Sequence, residues 1–172
     1  AESSELNKGA SFLVRLPLAT ASDSKDQDTL SSRHNPFDGE NFSLAGITVL
    51  VVDDDLDGCE LIKRMLSHCQ AIVIKAGSAM EGLQLLKMEK PDVLISDIGM
   101  PDKNRYQFIR EVRELPAENG GKTPAIALTA FARPEDKIGA INAGFQEYLT
   151  KPVDASALVA TIRLVGQHRK SR

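Results

Sequence analysis

From Gly46 onward the chain alternates between two hydrophobic patterns. Short, nearly continuous apolar runs are followed by stretches whose apolar residues recur at helical spacing. The runs predict strands over 47–53 (ITVLVVD), 71–75 (AIVIK), 92–97 (DVLISD), 124–129 (PAIALT) and 147–151 (EYLTK). The intervening stretches predict helices over 56–68, 78–89, 105–115, 134–143 and 154–167. In the first helix Leu61, Ile62, Met65, Leu66 and Cys69 carry the spacing; in the second, Met80, Leu83, Leu85 and Leu86 do. Ser78 stands at an N-cap position with Glu81 three residues later, a capping-box pattern. Pro134 suits the first turn of the fourth helix. Strands this uniformly apolar belong in a parallel sheet covered on both faces. Five β–α units therefore predict one doubly wound α/β domain.

Before Gly46 the pattern differs. Residues 1–18 contain "ASFLVRLPLA", in which Phe12, Val14 and Leu16 fit one short strand stopped by Pro17. Residues 19–45 are rich in Ser, Asp and Asn and predict a linker without fixed structure. A length of 172 residues holds one domain and a tail. The net charge of −3 implies no nucleic-acid partner, and a chain with no Trp, two Tyr and six Phe offers little surface for stacking bases. Two cysteines, Cys59 and Cys69, read as packing residues in a reducing compartment. No apolar run approaches the ~18 residues that span a bilayer, and the polar start "AESSELNKGA" is not a signal peptide.

The chemistry lies at the strand ends. In open parallel sheets, ligands sit outside the carboxyl ends of the strands. Strand 1 runs into Asp53, Asp54 and Asp55, strand 3 ends in Asp97, strand 4 in Thr129 and strand 5 in Lys151, followed by Pro152. If strands 1 and 3 are neighbours, Asp53, Asp54 and Asp97 converge. Three carboxylates in one cleft require a cation or a proton among them. An all-oxygen set with room for water suits Mg²⁺. A metal, a hydroxyl and an ammonium around one carboxylate can bind a phosphoryl group, with Asp97 as nucleophile and Thr129 and Lys151 as its contacts. Asp55 and Asp57 read instead as acids of a helix N-terminus.

The pieces "VLVVDDD", "PDVLISDIGMPD", "AIALTAFA" and "AGFQEYLTKPVD" together resemble a response-regulator receiver domain, over roughly residues 46–168. The resemblance implies a CheY-like, flavodoxin-like (βα)5 fold with strand order 2-1-3-4-5. It implies Asp97 as phosphoacceptor and metal ligand, Asp54 as a direct Mg²⁺ ligand, Asp53 as a ligand through water, and the Gly99 backbone carbonyl as a further ligand. Thr129 and Lys151 would contact the phosphoryl group, Tyr148 would rotate on activation, and the Lys151–Pro152 bond would be cis. The partners implied are the phosphohistidine of a histidine kinase and a histidine phosphotransfer protein, with neither nucleic acid nor membrane contacted. One departure stands out: where the family has Asp-Gly after Met-Pro, this chain has Asn104 and Arg105. Asn104 is expected to cap the third helix. Gly99 and Phe131, each two residues past a key side chain, are expected to leave the approach to the acyl phosphate without a water-positioning group.

"NKGASFLVRLPL" is similar to the last strand of a histidine-kinase ATP-binding domain. The order of remnant strand (1–18), linker (19–45), receiver (46–168) and tail (169–172) is that of the C-terminal piece of a hybrid histidine kinase. Such a piece is expected to be cytoplasmic and self-phosphorylating rather than a turnover enzyme, under a parent free to be membrane-attached. Two other readings compete. A haloacid-dehalogenase-like phosphatase would use Asp53 and Asp55 as an Asp-x-Asp pair, but needs acids after Lys151, where only Asp154 stands. A receiver-like interaction module that is never phosphorylated has only Arg105 in its favour.

Overall fold

The computed structural model describes residues 42–99, 106–130 and 133–167. Five strands, β1 (Thr48–Val52), β2 (Ile72–Ala76), β3 (Val93–Asp97), β4 (Ala125–Thr129) and β5 (Glu147–Thr150), alternate with five helices. These are α1 (Leu56–His68), α2 (Ala79–Glu89), α3 (Gln107–Glu114), α4 (Pro134–Ala143) and α5 (Ala155–Gln167). The strands are parallel in the order β2-β1-β3-β4-β5, the doubly wound architecture expected from the sequence.

Alternation along each strand divides the core in two. Val49 and Val51, Val93 and Ile95, and Ile126 and Leu128 face one way and pack with Ile62 and Leu66 of α1 and Leu158 and Ile162 of α5. Leu50 and Val52, Leu94, and Ala125 and Ala127 face the other way, with Leu86 of α2, Phe108 and Ile109 of α3 and Ala140 of α4. The three inner strands are buried on both faces, which is why they read as unbroken apolar runs. Edge strand β2 is less covered: Ile72 is 59% exposed and Lys75 is open to solvent. Gly82 lets α2 approach β1, since a Cβ there would lie 2.9 Å from Val52.

Local rules set the helix starts. Ser78 Oγ accepts from the Glu81 N–H at 3.2 Å, and Glu81 Oε2 accepts from the Gly77 N–H at 2.8 Å, one residue before the cap of an ordinary capping box. Pro134 occupies the first turn of α4 behind Arg133. The expected cap of α3 is corrected: the N-cap is Tyr106, without a side-chain cap bond, and Asn104 lies outside the described residues. The packed unit also begins before Gly46. Leu44 has no exposed surface and its N–H donates to the Cys69 carbonyl at 2.7 Å, with Phe42 packed on the same core. The strand expected at 12–16, most of the linker, Arg105, Phe131 and the tail lie outside the described residues.

One polar residue organises the end of the sheet away from the strand carboxyl termini. Arg113, in the last turn of α3, donates to the carbonyls of Gly144 (2.8 Å), Gly121 (2.9 Å) and Thr123 (2.8 Å) and to Gln146 Oε1 (3.0 Å). Gln146 Oε1 also accepts from the Ala125 N–H at 2.7 Å. Burial lowers the guanidinium pKa from its ordinary value. Arg113→Met should therefore cost about 2–3 kcal/mol in urea unfolding, because it strands several carbonyls at once. A loss below ~0.5 kcal/mol would show that the network contributes little.

Candidate functional site

Strand register decides which side chains meet. Val52 lies opposite Ser96, so the next residue of each chain, Asp53 and Asp97, leave the sheet side by side. Asp97 lies opposite Leu128 and Thr129 opposite Thr150, which brings Thr129 and Lys151 to the same edge. The Thr129 carbonyl accepts from the Lys151 N–H at 2.7 Å, and the Lys151–Pro152 bond is cis. Lys151 Nζ donates to Asp53 Oδ2 at 2.7 Å and to Asp97 Oδ2 at 2.9 Å. The residues that meet here are 98 and 54 positions apart in the chain.

The four acids after β1 have separate fates. Asp53 is fully buried, and its Oδ1 accepts from the Asp55 N–H at 3.0 Å. Asp54 is exposed. Asp55 caps α1, its Oδ1 accepting from the Asp57 N–H at 3.1 Å. Asp57 sits in the first turn of α1, where the helix dipole favours an anion. Carboxylate oxygens of Asp53, Asp54 and Asp97 lie within 4.8 Å of one another. This all-oxygen donor set, one member buried and one open to solvent, fits a hard divalent cation that keeps part of its water.

Burial raises the Asp53 carboxyl above its ordinary range, and the Asp97 charge adds to this. The Lys151 hydrogen bond, the Asp55 N–H and the Lys151 charge oppose it without prevailing. For Lys151, burial alone would lower the pKa, but its hydrogen bonds to Asp53 and Asp97 and their charges raise it above the usual lysine value. The ammonium is therefore held charged. Beneath the site, the Cys59 thiol donates to the Asp53 carbonyl at 3.6 Å. Burial and the Asp53 charge push this thiol up to about 11, which makes it a packing group and a poor nucleophile.

Among the described residues, Thr129, Gly99 and Tyr148 occupy the same edge or its surroundings. Thr129 is buried at the end of β4. Gly99 is exposed, and its N–H donates to Asp97 Oδ1 at 2.8 Å. A Cβ at Gly99 would lie 3.3 Å from Asp97 Oδ1 and 3.5 Å from Oδ2, so the missing side chain keeps that side of the carboxylate open. Tyr148 is half-buried beside the core on the α2–α4 face. Sequence reasoning missed Tyr106 and Arg113, which both reach from α3 toward α4. Their partners lie about 30 residues away, so no local spacing announces them.

The family model of the response-regulator receiver domain matches residues 49–163. The chain is 49% identical over 126 residues to an uncharacterized 14.6 kDa protein of the sodA1 3′ region of Leptolyngbya boryana, covering 73% of this chain and 92% of that protein. It is 36% identical over 117 residues to protein PilH of Pseudomonas aeruginosa, covering 68% of this chain and 95% of PilH. Among solved structures, a response-regulator receiver-domain protein from Clostridium thermocellum superposes with a TM-score of 0.65 at 29% identity, over 72% of this chain and 97% of that one.

Proposed function

This chain belongs to the response-regulator receiver family of two-component signalling, and from that premise we propose that it is a phosphoacceptor switch in which Asp97 takes a phosphoryl group from a phosphohistidine. An Asp97 carboxylate oxygen attacks phosphorus. The P–N bond to the imidazole breaks with its electron pair remaining on nitrogen, and the new P–O bond makes an acyl phosphate. The observation that carries this reading is the Lys151 ammonium held within hydrogen-bonding distance of both Asp53 and Asp97 at the strand ends.

The chain's own residues then have definite tasks. The Gly99 N–H orients the Asp97 carboxylate by holding Oδ1. Lys151 neutralises charge as it passes from the carboxylate to the phosphoryl oxygens, and the Thr129 hydroxyl donates to one of those oxygens. Asp53, Asp54 and Asp97, with the Gly99 carbonyl, would hold Mg²⁺, which when bound supplies positive charge to the clustered carboxylates and the phosphoryl group. Thr129 and Tyr148 are proposed as the switch pair, Tyr148 being half-buried on strand β5. The proposed partners are a kinase phosphohistidine and a histidine phosphotransfer protein. The strand–linker–receiver order in the sequence favours a hybrid histidine kinase as the parent, with this portion cytoplasmic; no helix among the described residues is long and apolar enough to cross a membrane.

A small acyl-phosphate donor with Mg²⁺ should add one phosphoryl group per chain, and a chelator or Asp97→Asn should abolish the addition. Undiminished uptake in Asp97→Asn would overturn the assignment. Asp54→Asn separates the metal from the fold because Asp54 is exposed. Its Mg²⁺ affinity should fall about tenfold or more with one carboxylate removed. Its stability in chelator should stay within ~0.5 kcal/mol of the parent. An unchanged Mg²⁺ titration would remove Asp54 from the site.

A further inference from the structure

Gly58 is the third residue of α1, where glycine destabilises a helix relative to alanine. It lies in helical backbone, so no turn requires it. Space does. A Cβ at Gly58 would lie 2.9 Å from Asp55 Oδ2, 3.3 Å from Asp55 Cγ and 3.6 Å from Asp53 Oδ2. Bare backbone of the first turn of α1 therefore lies against the carboxylates of both acids.

That contact belongs to a connected set of bonds. The Asp55 N–H donates to Asp53 Oδ1 at 3.0 Å, and the Asp57 N–H donates to Asp55 Oδ1 at 3.1 Å. The Asp55 carbonyl accepts from the Cys59 N–H at 2.9 Å, and the Asp53 carbonyl accepts from the Cys59 thiol at 3.6 Å. Segment 53–55, which carries two of the proposed Mg²⁺ ligands, is thus tied to α1 through side-chain and backbone atoms alike. Asp55 is the link: its main chain orients Asp53, and its side chain caps the helix.

We propose that Asp55 and Gly58 are positioning residues of the cation site. The Asp55 cap, admitted by the missing side chain of Gly58, holds segment 53–55 in the geometry in which Asp53 and Asp54 bind Mg²⁺. The inference rests on the reading of these two acids and Asp97 as Mg²⁺ ligands; neither Asp55 nor Gly58 is itself assigned as a ligand. A segment that leaves its binding geometry part of the time binds more weakly, in proportion to the fraction of molecules that remain competent.

Mg²⁺ titration, urea midpoints and amide exchange in chelator, all on the full chain, test this. Asp55→Ala removes the cap. It should weaken Mg²⁺ binding about fivefold and speed exchange over residues 53–58 by a similar factor, the shift expected from losing an ordinary N-cap. Asp55→Asn keeps a capping oxygen and drops the charge, and should stay within about twofold of the parent in both measurements. Gly58→Ala discriminates most sharply. Alanine is the better helix former, so propensity alone predicts a raised urea midpoint and unchanged Mg²⁺ binding. The added Cβ should instead turn the Asp55 carboxylate off its cap, leaving the midpoint near the parent's while Mg²⁺ binding weakens about fivefold. Asp55→Ala and Gly58→Ala together should weaken binding no more than Asp55→Ala alone, since both break one contact. Parent-like Mg²⁺ affinity in Asp55→Ala or in Gly58→Ala overturns the proposal. Asp55→Asn as weak as Asp55→Ala would mean that Asp55 acts by its charge, and overturns the positioning role. A parent chain that binds no Mg²⁺ overturns the metal reading and this inference with it, whereas a parent that binds Mg²⁺ no better than its variants overturns the inference alone.

Discussion

Asp53→Asn should stabilise the metal-free domain at neutral pH by about 1–2 kcal/mol, the scale on which an imperfectly compensated buried charge is felt. Asp53 has no exposed surface, and burial raises its carboxyl pKa despite the Lys151 ammonium at 2.7 Å. A folded-state pKa raised above the unfolded value of 3.8 means that the native state binds this proton more tightly. The associated stability is fully present below 3.8 and is lost as pH rises through the raised pKa. Asparagine does not titrate, so the variant should escape that decline. Its amide oxygen can still accept from the Asp55 N–H, and Lys151 keeps Asp97 as a partner. Mg²⁺ should narrow or reverse the difference, because a ligand of the native state stabilises in proportion to its occupancy. Urea midpoints from pH 4 to 8, with chelator and with Mg²⁺, check this. A variant less stable than the parent in chelator at neutral pH would mean that Asp53 is fully compensated by its neighbours.

Lys151→Ala should have the opposite sign and a larger effect. The ammonium is the one cation bonded to both buried-site carboxylates among the described residues. Its pKa is raised above the ordinary 10.5, so its contribution is complete below that value and is lost only as pH rises through the raised pKa. At neutral pH the substitution removes all of it and leaves Asp53 and Asp97 facing each other. We expect a loss of about 2–4 kcal/mol in chelator with the domain still folded. The gap should shrink toward pH 4, as Asp53 protonates, and on adding Mg²⁺. Phosphoryl transfer to Asp97 should fall about a hundredfold, the usual effect of removing one charge-stabilising donor. A variant within ~0.5 kcal/mol of the parent that accepts phosphate at the parent's rate would show that Lys151 neither balances the carboxylates nor serves the transfer.

The fold was legible because its signals are redundant. β1, β3 and β4 are apolar on both faces, and the structure buries both faces. Each of those strands ends in a polar residue or runs straight into one, which told where the sheet's carboxyl edge would be. The convergence of these residues was legible for the same reason: Asp97 and Thr129 end their strands, Asp53 and Lys151 directly follow theirs, and parallel pairing brings strand ends together. What escaped depends on contacts between distant segments. Leu44 lies in a polar stretch, yet it is buried in the core and its N–H donates to the Cys69 carbonyl, 25 residues on. Asn104 has the chemistry of a cap, yet α3 starts after Tyr106, whose ring is committed to α4. Arg113 looks like one more solvated charge on an amphipathic helix until Gly121, Thr123 and Gly144 present their carbonyls to it.

Locating the phosphoryl group tests most directly whether Asp97 is the phosphoacceptor. The domain, loaded from an acyl-phosphate donor with Mg²⁺, is reduced with borohydride to convert the acyl phosphate into a stable mark, digested and mapped by mass spectrometry. One mark is expected, on Asp97, whose carboxylate accepts from the Gly99 N–H at 2.8 Å and meets Lys151 at 2.9 Å. A mark on Asp53, or loaded chains with Asp97 unmodified, would contradict that assignment.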